Sequence, residues 1–106
     1  MQTSVTELDP DLAALARQAD IVVFRSPVTD TRALERRLQA TPLLRCVFVD
    51  MPMGRAAERD RFHRLSAATG WHHLPMIFVR GAFIGGEPEL AAWLDEAGGR
   101  VGKSGA

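Results

Sequence analysis

The spacing of apolar positions changes several times along this chain, and each change marks an element. Leu12, Leu15 and Ala16 recur at i, i+3 and i+4, which predicts a short helix opened by Asp9-Pro10-Asp11. Asp9 suits the N-cap, Pro10 the first helical position and Asp11 the positive end of the helix dipole. Ile21-Val22-Val23-Phe24 follows as a run with no polar alternation, the pattern of a strand covered on both faces. Arg25-Ser26-Pro27-Val28 reads as a loop. Leu34 and Leu38 then predict a second helix from Thr29 or Asp30 to Gln39, ended by Thr41-Pro42. Cys46-Val47-Phe48-Val49 reads as a second buried strand closed by Asp50. Strand, helix and strand in this length form a βαβ unit, so the two strands should be parallel.

The second half changes period again. Met51-Pro52-Met53-Gly54 is a connection to a helix from Arg55 to Thr69, with Phe62 and Leu65 as anchors and Gly70 as its left-handed stop. Pro75 stands just ahead of the apolar run Met76 to Val79, where a missing N–H does little harm. Arg80-Gly81 is a hairpin turn, Ala82-Phe83-Ile84 the return strand, and Gly85-Gly86 a corner. Glu87-Pro88 opens the last helix, where Leu90, Trp93, Leu94 and Ala97 share one face and Gly98-Gly99 should end it. The summed order is α-βαβ-α-ββα in one domain, residues 1–99. Residues 1–8 should be loose and residues 100–106 a disordered tail.

Composition narrows the function. With 106 residues and a formal net charge of zero, the chain has no electrostatic footprint for nucleic acid or an anionic membrane. Its one cysteine, Cys46, excludes an intramolecular disulfide and any two-thiol mechanism within the chain. Mid-strand, that thiol reads as a small hydrophobe. Met1-Gln2-Thr3-Ser4 lacks a basic and apolar leader, and no apolar run reaches about 20 residues, so a cytoplasmic location is expected. His63, His72 and His73 follow no metal-ligand spacing, so no metal is expected. Arg32, Arg36 and Arg37 read as a solvated basic face, and Trp71 as either a contact anchor or a cover for the core edge.

Leu74-Pro75, a strand, a glycine turn, a second strand, Ile84-Gly85-Gly86, an acidic residue and a helix together resemble the C-terminal half of glutaredoxins. The likeness spans residues 21–97 and implies a thioredoxin-like α/β fold of the glutaredoxin subtype, a mixed sheet of four strands flanked by helices. In that family a Cys-Pro-Tyr-Cys or Cys-Gly-Phe-Ser motif follows the first strand. Counted from Phe24, its four positions fall on Thr29, Asp30, Thr31 and Arg32, with Thr29 in the place of the attacking sulfur. Disulfide exchange needs sulfur, so Thr29 reads as a helix cap and Asp30 as its dipole partner. On that placement a Thr29→Cys substitution would give an acidified thiol. Val28-Thr29-Asp30-Thr31-Arg32 and Gly86-Glu87-Pro88-Glu89-Leu90 also resemble SH3-domain-binding glutamic-acid-rich-like proteins, which share the fold without the cysteine motif.

The resemblance implies a redox-inactive module that engages a protein partner through a groove. That groove is formed by Arg25, Thr29, Arg32, Trp71, His73, Leu74, Pro75, Gly85, Gly86 and Glu87, with no iron–sulfur cluster and no confident catalytic residue. The alternative is a protein or enzyme of transferase or isomerase type that binds glutathione or a related thiol without a thiol of its own. In that case Leu74, beside a cis-proline, would pair with the cysteinyl moiety. Glu87, Pro88 and Glu89 would face the γ-glutamyl group. Pro88 lacks an N–H, and the Glu87 carboxylate would sit where the ligand's carboxylate belongs. No cofactor is therefore expected, and glutathione is the one candidate ligand.

Overall fold

The computed structural model describes residues 8–103, with side chains described through residue 96. Its elements are α1 (Pro10–Ala16), β1 (Ile21–Arg25), α2 (Arg32–Gln39), β2 (Cys46–Asp50), α3 (Ala56–Thr69), β3 (Met76–Val79), β4 (Ala82–Gly85) and α4 (Glu87–Lys103). The sheet runs β2-β1-β3-β4, with β1 parallel to β2 and the remaining neighbours antiparallel. This is the mixed four-stranded, thioredoxin-like sheet that the order of elements predicts.

The alternation of side chains along β1 explains its unbroken apolar run. Val22 and Phe24 enter one core with Leu12, Ala16, Leu65, Met76, Phe78 and Phe83, the layer beneath α1 and α3. Ile21 and Val23 point to the other face, packing with Leu34, Leu38, Ile77, Val79, Leu90 and Leu94 beneath α2 and α4. A central strand covered on both faces has no solvent side to mark with polar residues. Phe24 and Phe78 meet edge-on at 5.6 Å between ring centroids, and Phe83 joins Phe78 at 5.4 Å. The turn joining β3 and β4 has φ of 51° at Arg80 and 86° at Gly81, the left-handed pair that a two-residue hairpin demands.

Several boundaries differ from the sequence reading. β2 is an edge strand and only half-buried, because α2 and α3 cover it incompletely. Cys46 is accordingly half-buried rather than enclosed. α2 begins at Arg32, with Thr31 as its N-cap, so Thr29 and Asp30 lie outside the helix. α4 runs through Gly98-Gly99 to Lys103. Two glycines cost about 1 kcal/mol each against alanine, which weakens a helix without stopping it. Residues 100–103 are therefore helical; residues 1–7 and 104–106 lie outside the described chain. Asp9 holds the N-cap position of α1 with no side-chain cap bond, its carboxylate instead accepting from Arg64 Nη1 at 3.0 Å. The same Arg64 nitrogen reaches Asp11, tying α1 to α3 and holding the Asp11 carboxyl below its ordinary range. No helix among the described residues is long and apolar enough to cross a membrane.

Candidate functional site

The strand register gathers the sequence-predicted residues at one end of the sheet. Phe24 pairs with Met76 and Ile77 with Gly85, so the segment after β1, the Leu74-Pro75 bend and the Gly85-Gly86 corner share an edge. The end of β2 joins them, with Met51 N–H donating to Arg25 C=O at 2.8 Å. The Leu74–Pro75 peptide bond is cis. Within that edge the residues fall into two groups.

The first group is the loop from β1 to α2. It lines a depression of about 620 Å³ with Arg25, Thr29, Thr31, Arg32, Glu35 and Asp50 among its walls. Arg25 is its knot. Nε donates to Asp50 Oδ1 at 2.7 Å, Nη1 to Thr31 Oγ1 at 2.7 Å and to Glu35 Oε2 at 2.9 Å. The guanidinium also lies over the Phe48 ring at 4.4 Å. Asp50 above all, then Glu35, raises the Arg25 pKa further. Thr31 is buried, and its hydroxyl donates to Glu35 Oε2 at 2.8 Å, so it is not free to cap α2. The strand end, the loop and the helix are thereby locked into one network, and Arg25 is not available as a free ligand-binding cation.

Thr29 does not cap the helix. Its N–H donates to Ser26 C=O at 3.0 Å, and its hydroxyl lies 2.9 Å from Ser26 Oγ. No histidine or carboxylate among the described residues is bonded to that hydroxyl, so nothing activates it as a nucleophile. Asp30 does answer the helix dipole: its Oδ1 accepts the Arg32 N–H at 3.1 Å, while both its oxygens engage the Arg32 guanidinium. Arg32 holds the Asp30 carboxyl down at about 2. Arg32 is thus paired at the rim. Val28, 92 % exposed, is the apolar tip of this loop.

The second group surrounds the glycine corner. Trp71, half-buried, stacks on the His73 ring at 4.5 Å and meets Phe83 edge-on at 5.6 Å. A Cβ on Gly86 would lie 3.3 Å from the Trp71 ring and 3.7 Å from Pro75 C=O, so glycine admits the indole here. Gly85 has a φ of 122°, and a Cβ there would lie 2.7 Å from Glu89 Cγ. Leu90 N–H donates to Gly86 C=O at 3.0 Å, the first bond of α4. Gly86 N–H itself donates to Glu89 Oε1 at 2.8 Å. The carboxylate at this helix N-terminus therefore comes from Glu89, not from Glu87 as the sequence suggested. The signal was present as spacing: a glutamate three residues beyond the N-cap reaches back to the N-cap N–H in a capping box.

Trp71, His73, Leu74, Pro75, Gly85, Gly86 and Glu87 do not line the depression beside Thr29. The fold brings the two groups to one edge without merging them into a single pocket. Glu35 and Asp50 were missed as site residues, since long-range hydrogen bonds to Arg25 leave no local pattern; Ser26, which meets the Thr29 hydroxyl, was read only as loop. His63, His72 and His73 are exposed, and no cluster of metal-ligating side chains occurs among the described residues. Cys46 begins β2 at the opposite sheet end, paired with Ile21, and burial and Asp20 push its thiol pKa up, away from reactivity.

No family model and no curated protein matches the chain. Solved structures do. The dithiolic glutaredoxin 2-C-Grx1 of Trypanosoma brucei brucei is similar with a TM-score of 0.67 and 22% identity, over 89% of this chain and 95% of that one. Oxidized glutaredoxin 2 of Chlamydomonas reinhardtii gives a TM-score of 0.68 at 18% identity, covering 89% and 88%. Holo glutaredoxin C1 of Populus tremula x tremuloides gives 0.66 at 20% identity, covering 81% and 84%. At this identity the likeness shows the fold: the chain has the thioredoxin-like fold of glutaredoxins.

Proposed function

We propose that this chain is a redox-inactive glutaredoxin-like module. It would bind or regulate a protein partner through the edge formed by Thr29, Leu74-Pro75 and Gly86-Glu87. The observation that carries this reading is the Gly86 N–H···Glu89 carboxylate bond. It fills the α4 N-terminus with the chain's own anion, and Pro88 removes a further amide. At the other helix facing this edge, the Asp30 carboxylate takes the Arg32 N–H. A ligand carboxylate or a thiolate would find these amides already taken by carboxylates of the chain, and no sulfur stands at Thr29. What the edge still offers is contact surface: exposed Val28 at one side and the half-buried Trp71 at the other, an apolar and an aromatic anchor of the kind that seats a protein segment.

A backbone amide titration of the intact protein with reduced glutathione tests this, together with a thiol–disulfide exchange assay on a small disulfide. The expected result is no turnover and no saturable shift up to about 10 mM glutathione, a Kd that corresponds to only about −2.7 kcal/mol. Saturable shifts at Thr29, Leu74 and Glu87 would overturn it in favour of a protein that binds a low-molecular-weight thiol.

A further inference from the structure

At the far end of the sheet from Thr29, three segments meet around Asp20: the exit of α1, the entry to β2 and the β3–β4 turn. They line a depression of about 400 Å³ with Arg17, Gln18, Ala19, Asp20, Arg45 and Arg80. Asp20 ties the segments together. Its Oδ2 accepts the Arg45 N–H at 3.0 Å, its C=O accepts the Arg80 N–H at 2.8 Å, and its Oδ1 lies 3.7 Å from Arg80 Nε. Arg80 holds this place at a φ of 51°, a conformation that side-chain-bearing residues rarely adopt and that asparagine or glycine would fill more easily.

The arginines here differ in grouping from those elsewhere in the molecule: Arg36 and Arg55 also lack an ion pair at hydrogen-bond distance among the described residues, but neither lines this depression. Arg25, Arg32, Arg37, Arg61 and Arg64 each form an ion pair at the distance of a hydrogen bond, and Arg59 donates to a carbonyl. The guanidiniums of Arg17 and Arg45 have no partner among the described residues, and Arg80 has only the long contact to Asp20. Three of the arginines without a close partner are thus gathered around one depression, with a single carboxylate among them. One carboxylate against three guanidiniums leaves the positive charge in excess.

We propose that Arg17, Arg45 and Arg80 form a binding site for a small phosphate-bearing molecule. Guanidinium forks match phosphate oxygens two at a time, and three of them from separate segments can surround one phosphoryl group. The volume is within the range of small-molecule sites. This site is independent of the edge at Thr29 and of any thiol chemistry.

The test is a backbone amide titration of the full chain with pyrophosphate and with glucose 6-phosphate at about 50 mM salt, set against chloride at equal ionic strength. Either phosphate should give saturable shifts confined to residues 17–20, 45 and 80–81. Binding of both assigns the site to phosphate itself; binding of the sugar phosphate alone assigns it to an organic phosphate. Arg17→Ala and Arg45→Ala alter exposed side chains and should each weaken binding about tenfold, the share of one charge-assisted hydrogen bond. Arg55→Ala, at an exposed arginine outside the depression, should leave it unchanged. Shifts absent at about 10 mM, shifts spread over every arginine, or equal weakening by Arg55→Ala would each overturn the proposal.

Discussion

Thr29→Cys puts sulfur where the resemblance to glutaredoxins would place the attacking thiol, and the geometry predicts an ordinary thiol rather than an activated one. A catalytic thiol in this fold is acidified by the free amides and dipole of the helix it opens, an effect that fades within the first turn. Here the first helical residue is Arg32, and its N–H is already taken by Asp30. A thiolate at position 29 would adjoin the Asp30 carboxylate, ionised above about pH 2, with the Arg32 guanidinium turned onto that same carboxylate. In water-like surroundings a unit charge at about 6 Å moves a neighbouring pKa by about half a unit. The carboxylate raises the thiol by that much, and the guanidinium and residual dipole lower it by a similar amount. The expected pKa is therefore about 8.5, within one unit. The assay is thiolate absorbance against pH in a Cys46→Ala background, so that one sulfur titrates. Adding Asp30→Asn should lower the value by about half a unit by removing the repulsive partner. A Thr29→Cys thiol titrating below about 7 would show that the helix field reaches residue 29, and would refute the placement of α2 argued above.

Arg25→Ala should cost about 2 kcal/mol in urea unfolding, because it removes the charge-assisted donor to Glu35 and one of the two partners of the buried Thr31 hydroxyl, which keeps only its bond to Glu35. The Asp50 contact adds little, since that carboxylate is 58 % exposed. Arg25→Lys should recover less than half of the loss, because an ammonium cannot fork across three partners. Equal stability of Arg25→Ala and wild type would contradict the knot. Acid stability follows from Asp11, whose carboxyl is held below its ordinary range chiefly by the Arg64 hydrogen bond. A lowered carboxyl pKa contributes stability above the unfolded value of about 3.9, and that contribution is lost as pH falls through the folded value. Arg64→Ala should therefore lose less stability than wild type between pH 5 and the acid limit, as followed by Tm across that range; parallel Tm curves would contradict it.

The parts of the fold that were legible in the sequence are those that local chemistry decides. Four consecutive apolar, β-branched-rich residues at Ile21 to Phe24 favour a strand, and Arg80-Gly81 between apolar runs favours a tight turn. The start of α2 was misplaced because Thr29, Asp30 and Thr31 are all good N-caps, and local preference cannot rank them. The choice is made by Arg25, whose side chain reaches six residues on to Thr31 and ten to Glu35, and so pins the turn at Thr31. The half-exposed state of β2 was illegible for a similar reason. Edge and central strands share an apolar composition, and only the pairing order separates them.

The same distinction bears on function. The absence of cysteine from residues 25–32 is visible in the sequence, but that alone leaves open whether helix N-termini at this edge are free to take an anion. Two hydrogen bonds bear on it: Asp30 to the first amide of α2 and Glu89 to the N-cap amide of α4. Both helix N-termini that face the sheet edge are filled by carboxylates of the chain itself. Each is a stabilising cap, worth about 1 kcal/mol by itself. Together they occupy amides that an anionic ligand would otherwise use. Their joint presence is the ground on which the proposed reading favours contact over thiol chemistry at this edge, and the glutathione titration is what decides it.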